Sequence, residues 1–411
     1  MKGIKNIGLV LLSIIVGILL FEIAVRLLIK PSSVCYGSLF QAELPPFKLD
    51  LARKFHAHYD QPLKEVDNDG KVLTKGDLWG ILEEDEVLGY VPAKNAISKR
   101  GWWQSNNLGA RARTDITFQM PQAKKRILLF GDSYTNGSRV SLEESWPYYL
   151  NDKNKTAEFL NFGVDGYSMG QSLLRYEGLR GKIEYSSVVT VFVPSLDLWR
   201  DVNVLRQLNN WQNYPLLPRF ELEEGQLRLI RSPYGKYDDF SKDNHNRLSE
   251  RLKKYLRAHD RFYSDAKYDL PVFWGELVVY KLIARSWYVD QNKRLWANIL
   301  SPDSEAMQVS LKIFERFNVQ AKQDGGKFIL VCLPTAGDVV LYRKDPIFRK
   351  KYDAVVMSIK ETGIQCIDLM TSLLAKNITF DTGKDRTHYG PKTNKIIAEL
   401  LLEQFHRLGL V

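Results

Sequence analysis

Residues 126–137 read RILLFGDSYTNG. After Arg126 the run is apolar, too short for a helix and closed by a glycine, which is the pattern of a strand buried on both faces. Gly131-Asp132-Ser133 ends the strand, and Asn136-Gly137 marks a turn. A serine delivered to that point has two readings. It is a nucleophile at the edge where open α/β sheets place their ligand crevice, or it is a polar residue that starts the next helix.

The same grammar repeats downstream. EFLNF (158–162), SVVTVFV (187–193), KFILVCL (327–333) and IQCIDL (364–369) are short β-rich runs separated by helical segments. That alternation predicts an α/β domain with a parallel sheet covered by helices. More than a hundred residues separate the third and fourth runs, too many for a crossover loop, so about 203–300 is an insertion with structure of its own. YPLLPRFELEEGQLRLIRSPY reads as a hairpin about EEGQ, and the stretch from about Asn246 to Tyr288 as helical. SPDSEAMQVSLKIFERFNVQAKQ opens on capping residues and returns as a crossover helix. The domain is thus predicted over 123–411. Residues 31–122, with prolines, a charged middle, VLGYVPAKN and SNNLGARA, read as an extracytoplasmic linker and a lead-in layer.

Residues 1–30 begin with two lysines and continue as a mainly apolar run from Ile7 to Ile29, long enough to cross a bilayer as a helix. The run exceeds the hydrophobic core of a signal peptide, Glu22 and Arg26 sit one turn apart near its far end, and no small-x-small cleavage site follows. An uncleaved single-pass anchor is expected. Lys2 and Lys5 favour a cytoplasmic N-terminus, which puts the rest of the chain outside the cytoplasm, in the periplasm if the cell has an outer membrane. FWGELVVYKLIARSWYV (273–289), interrupted by Glu276, Lys281 and Arg285, reads as a buried or interfacial helix.

The net charge of +10 suits an anionic polysaccharide or lipid headgroups, yet acids are interleaved with the basic residues, as on an ordinary solvated surface. Cys35, Cys332 and Cys366 fit neither a disulfide framework nor a metal-site spacing; buried free thiols are the default, with a bridge between neighbouring strands open to Cys332 and Cys366. No phosphate-cradling loop, zinc spacing or nucleic-acid motif occurs, so neither cofactor nor metal is implied and no nucleic-acid partner is expected.

Acyl transfer needs a nucleophile, a base, a partner to orient the base, and donors for the oxyanion. Ser168 in GYSMG is a literal match to the G-x-S-x-G elbow and competes with Ser133 for the first role. Among six histidines His388 stands out, three residues after Asp385 in DTGKDRTHYGPKTNKIIAELLLEQF and just before an amphipathic C-terminal helix. An elbow-type hydrolase usually takes its acid and histidine from separate loops, so the compact Asp-x-x-His spacing favours Ser133 over Ser168. Asp381 is a spare acid that caps or solvates the same loop, and Asp165 and Tyr167 are candidate pocket or turn residues.

FGDSYTNG, NFGVDGYS and DRTHYG in this order resemble the SGNH, or GDSL-type, hydrolases, and in particular their membrane-anchored bacterial members, which carry a similar lead-in to LGYVPAKN and NNLGAR. The resemblance covers roughly residue 85 to the end, less the insertion. It implies a three-layer, flavodoxin-like fold with a five-stranded parallel sheet. It also implies Ser133 as nucleophile, His388 as general base, Asp385 as the residue that holds the imidazole, and the backbone N–H groups of Ser133 and Gly166 as oxyanion donors. Ser168 then becomes a helix-start residue.

One block departs from the family pattern. The family's third motif supplies an Asn side chain to the oxyanion, whereas VFVPSLDLWRDVN has Leu196 there, with Asp197 beside it. Leucine cannot donate, and loss of one such donor typically costs about 2.7 to 4 kcal/mol in barrier. Ser195, Arg200 and Asn203 are candidate substitutes, and Asp132 and Asp197 candidate pocket residues. The expected activity is that of a membrane-tethered serine esterase working through an acyl-serine, with O-acetyl groups of a cell-surface or exported polysaccharide as substrate and polysaccharide assembly machinery as a candidate partner. The rival readings are an O-acyltransferase with the same triad, a lipid esterase or thioesterase, and a catalytically silent polysaccharide-binding or assembly protein.

Overall fold

Five runs rich in Val, Ile, Leu and Phe pair into one parallel sheet, as such runs must when both faces are covered. The strands, numbered here β1 (Lys125–Phe130), β2 (Ala157–Asn161), β3 (Ser187–Phe192), β4 (Lys327–Cys332) and β5 (Cys366–Asp368), lie in the order β2-β1-β3-β4-β5. All four pairings are parallel, with Val189 of β3 opposite Leu129 of β1 and Ile329 of β4. This is the doubly wound order of the flavodoxin-like fold, whose chain reverses direction across the sheet between β1 and β3. The structure, a computed structural model, describes residues 2–49, 62–66, 72–74, 82–210, 216–234, 249–376, 378–382 and 387–411.

Alternation along each strand divides the core into two layers. Leu128, Phe130, Val188, Phe192 and Leu330 face the helices Met169–Leu179, Glu305–Gln323 and Pro346–Glu361. Ile127, Leu129, Val189, Val191 and Ile329 face Trp146–Lys153, Leu369–Ala375 and Pro391–Arg407. Each such side chain, removed from water completely, contributes on the order of 1.5–3 kcal/mol of transfer free energy. Cys332 and Cys366 are free thiols on adjacent strands, their sulfur atoms 3.6 Å apart.

Between β3 and β4 the insertion opens with the expected hairpin, Arg219–Glu223 against Gln226–Ile230, turned at Glu224 and Gly225, both of positive φ as a two-residue hairpin turn demands. Helices Glu250–His259 and Val278–Asn298 follow, and Ser304 caps the crossover helix Glu305–Gln323 by accepting from Met307 N. Among the described residues of the lead-in, Cys35, Phe47, Leu82, Leu88 and Tyr90 join the sheet's larger hydrophobic cluster.

At the N-terminus Lys2–Arg26 is one continuous helix, and among the described residues it is the one helix long and apolar enough to cross a membrane. Most of its side chains are exposed, but Val25 packs with Leu44 and Val278 in a small separate cluster.

Candidate active site

Ser133 leaves β1 at the point where the sheet's connections diverge, the crevice position of such folds. Gly131, at φ +149°, makes the exit possible: a Cβ there would collide with Thr135 Oγ1 and lie 2.9 Å from the Val191 carbonyl oxygen. Asp132 caps the short helical turn Ser133–Asn136, its carboxylate accepting from Tyr134 N at 2.8 Å, so Ser133 occupies the first helical position.

The residue facing Ser133 arrives from the other end of the chain. His388 Nε2 lies 2.7 Å from Ser133 Oγ. The imidazole is fixed from several sides. Its ring leans on Tyr134, with centroids 4.9 Å apart, and the Tyr134 hydroxyl donates to the Thr387 carbonyl at 3.2 Å. Two residues later Gly390 and Pro391 start the helix Pro391–Arg407, whose leading N–H groups at Lys392 and Thr393 donate to Asp381 at 2.9 and 2.6 Å. Asp381 therefore caps this helix, the role the sequence left open for it. For Nε2 to take the serine proton the ring hydrogen must sit on Nδ1, where Thr387 Oγ1 lies at 3.3 Å. Asp385 lies outside the described residues.

Gly166 stands in the turn after β2 at φ +76°, a conformation that favours glycine. Val164 N donates to the Gly131 carbonyl at 3.0 Å, which ties this turn to the end of β1. The lead-in clamps it from outside: the Tyr90 hydroxyl donates to the Asp165 carbonyl at 2.7 Å, and the Tyr167 hydroxyl to the Tyr90 carbonyl at 2.5 Å. Among the described residues neither the Ser133 nor the Gly166 N–H donates to a protein acceptor, as an oxyanion pair requires.

Ser168 is the N-cap of Met169–Leu179, forming a capping box with Gln171. It is buried and its hydroxyl also bonds Asp201. The elbow motif is thus a helix start.

The candidate substitute donors are engaged elsewhere. Ser195 Oγ donates to Asp338 at 2.7 Å, and Asn203 Nδ2 donates to the Leu205 carbonyl and to Asp260. Arg200 bonds the neighbour of Ser133: Nη1 donates to Asp132 at 2.6 Å and to Asp197 at 3.2 Å, all three side chains being buried. Asp197 also accepts from Val193 N at 2.7 Å, so its carboxylate turns inward. Burial and the neighbouring Asp132 push the Asp197 carboxyl well above its ordinary range, while burial opposes and the two carboxylates raise the Arg200 guanidinium. Leu196 is partly buried and packs against the hydrophobic cluster on the face of the sheet that includes Tyr134 and Tyr389.

Two residues carry more of this site than their sequence context indicated. Burial alone would raise the Asp165 carboxyl, but the Arg139 guanidinium, the Ser138 hydroxyl, His388 and Asn136 bring it below its ordinary value. Arg111, in NNLGAR, donates to the carbonyls of Asn136 and Gly137 at 2.6 Å each, of Val140 at 2.8 Å and of Trp102 at 3.1 Å, pinning the chain just past Ser133. Its burial lowers the guanidinium pKa to about 10. An arginine embedded in a glycine-bearing turn motif was the available signal.

Fold and site together define a doubly wound α/β protein that presents a serine–histidine pair at the carboxyl edge of its sheet. No family model and no curated protein matches the chain in sequence. Solved structures of similar fold include a lipolytic protein of the G-D-S-L family from Veillonella parvula, at 14% identity and a TM-score of 0.31, covering 69% of this chain and 99% of the other. They also include an acetyl xylan esterase at 12% identity and a TM-score of 0.34, covering 68% and 98%. An acetylxylan esterase from Geobacillus stearothermophilus follows at 14% identity and a TM-score of 0.34, covering 69% and 95%. At these scores the likeness bears on neither substrate nor mechanism.

Proposed function

We propose that this chain is an SGNH-type serine esterase tethered to the outer face of the cytoplasmic membrane, removing O-acyl groups, acetyl above all, from a cell-surface or exported polysaccharide. The observation that carries the chemistry is the 2.7 Å contact between Ser133 Oγ and His388 Nε2. In this reading Oγ attacks the ester carbonyl as Nε2 takes its proton, and the N–H groups of Ser133 and Gly166 hold the oxyanion. His388 then returns the proton to the departing sugar oxygen, leaving acyl-Ser133. Water, activated by the same imidazole, releases the acid; a sugar hydroxyl in its place gives transfer. Asp385 is assigned to the imidazole by the motif resemblance alone.

Retention of the N-terminal helix is supported by its contacts with the folded domain: Glu22 accepts from Val278 N at 2.7 Å, and Val25 is buried against Val278 and Leu44. The carbohydrate ester substrate rests on the resemblance stated from the motifs.

A second reading, a polysaccharide-binding protein without turnover, is favoured by one observation: Leu196 stands where a donor is expected, and Ser195, Arg200 and Asn203 are committed to Asp338, Asp132 and Asp260. Hydrolysis of an aryl acetate separates the two. Activity in the full chain that is lost in Ser133→Ala and kept in Ser168→Ala is the expected result. Absence of activity toward acetyl, longer acyl and thioester substrates overturns the esterase reading and favours the binding one.

A further inference from the structure

The insertion carries an apolar surface that the proposed chemistry does not use. Val272 and Phe273 are 74% and 75% exposed, Trp274 57%, and on the helix Val278–Asn298 Ile283 and Trp287 are 56% and 75% exposed. A soluble surface tolerates scattered apolar residues, whereas a contiguous group rich in aromatics marks a surface meant to be covered. The Phe273 and Trp274 rings stand edge to face with centroids 5.0 Å apart.

The position of this surface is set by the N-terminal helix. Arg26 Nη2 donates to the Glu276 carbonyl at 2.7 Å, and Glu22 accepts from Val278 N at 2.7 Å and Val279 N at 3.2 Å. Val278–Asn298 has no side-chain cap of its own, so Glu22 satisfies its leading N–H groups. Lys281 holds the preceding loop by donating to the Gly275 carbonyl, with its ammonium 4.2 Å from the Tyr36 ring centroid. A helix of 25 residues is about 37 Å long, longer than the roughly 30 Å hydrocarbon core, so its last turn emerges at headgroup level. The loop joined to that turn stands at the same level.

We propose that Val272, Phe273 and Trp274, with Ile283 and Trp287 beside them, form a lip that seats in the outer interface of the bilayer crossed by Lys2–Arg26. The inference rests on the anchored reading given above. Its occupant is lipid because the surface is continuous with a lipid-exposed helix and changes character away from it. Along Val278–Asn298 the exposed face runs from Ile283 and Trp287 to the Arg294–Asp290 ion pair at 2.8 Å. Across a groove of about 1140 Å³ from Val272, Ile283 and Trp287 stand the pairs Lys253–Asp269 and Arg257–Asp265. Apolar edge, aromatic belt and charged wall in succession match the passage from acyl chains to headgroups to water.

Full-length protein in nanodiscs of phosphatidylcholine and phosphatidylglycerol, with and without bromine on the acyl chains, tests this through tryptophan quenching. The emission that brominated lipid quenches is expected to fall in Trp274→Phe and, by less, in Trp287→Phe, with the thermal melt unchanged. Quenching equal to wild type in both variants, with the lost emission instead quenched by aqueous iodide, overturns the lip and leaves the face to a protein or polysaccharide. Alkaline carbonate extraction keeps the two failures apart: release of the chain from the bilayer overturns the anchor, whereas retention with unquenched Trp274 overturns the lip alone.

Discussion

Arg200 Nη1 lies 2.6 Å from Asp132 and 3.2 Å from Asp197, so one buried guanidinium joins the residue before the nucleophile to the first turn of the helix after β3. Removing it strands two carboxylates in the interior. Arg200→Met is expected to cost about 3–5 kcal/mol in chemical denaturation. The loss has a definite pH sign. Without the guanidinium the folded-state pKa of Asp197, already raised by burial and by the neighbouring Asp132, rises further above the unfolded value, the folded state holds more protons, and stability falls as pH rises. The variant should therefore lie closer to wild type at pH 4 than at pH 8.

Asp165 titrates in the opposite sense. Its carboxyl is held below the ordinary value by Arg139, Ser138, His388 and Asn136 against the effect of burial. Its contribution to stability is complete above the unfolded carboxylate range and is lost as pH falls through the folded value. Asp165→Asn should be less stable than wild type at neutral pH, and the two melting temperatures should converge below about pH 4.

Arg111 donates to four carbonyls around the nucleophile turn. Arg111→Met leaves those acceptors buried and is expected to cost about 3 kcal/mol, hydrogen bonds to charged groups being worth about 1.5–3 kcal/mol each. Esterase activity should drop with it, and Arg111→Lys should recover only part of the stability, since an ammonium cannot reproduce the fork.

Leu196 offers a gain-of-function test. Leu196→Asn restores an amide at the position where the motif resemblance expects a donor, in the first turn of the helix after β3. One added donor in the transition state is worth up to about 10²–10³ in kcat, so a rise of at least about tenfold on aryl acetate is expected. An unchanged kcat would show that the first turn of this helix does not face the developing charge.

How much of this could be read beforehand follows from the range of the interactions. The five strands were legible because burial on both faces leaves an uninterrupted apolar run, as in SVVTVFV. Ser133 and His388 were legible because each ends or begins a periodic segment. Ser168, whose G-x-S-x-G context read as a rival, is accounted for by a local device, the capping box with Gln171. The fate of the substitute donors was not legible. Ser195 meets Asp338 across 143 positions, Arg200 meets Asp132 across 68 and Asn203 meets Asp260 across 57, so no local pattern could assign them. Arg111 was hidden for the same reason, three of its four carbonyl partners lying 25 to 29 positions further along the chain.

The contact between Ser133 and His388 spans 255 positions of the chain. A chain still being made therefore carries its serine through most of synthesis with no base beside it, and the pair closes only when residues 387–411 have left the ribosome and docked. A chain that stops between β4 and His388 holds four or five strands of the sheet without the Ser133–His388 pair, so under the proposed mechanism such an unfinished copy is chemically mute.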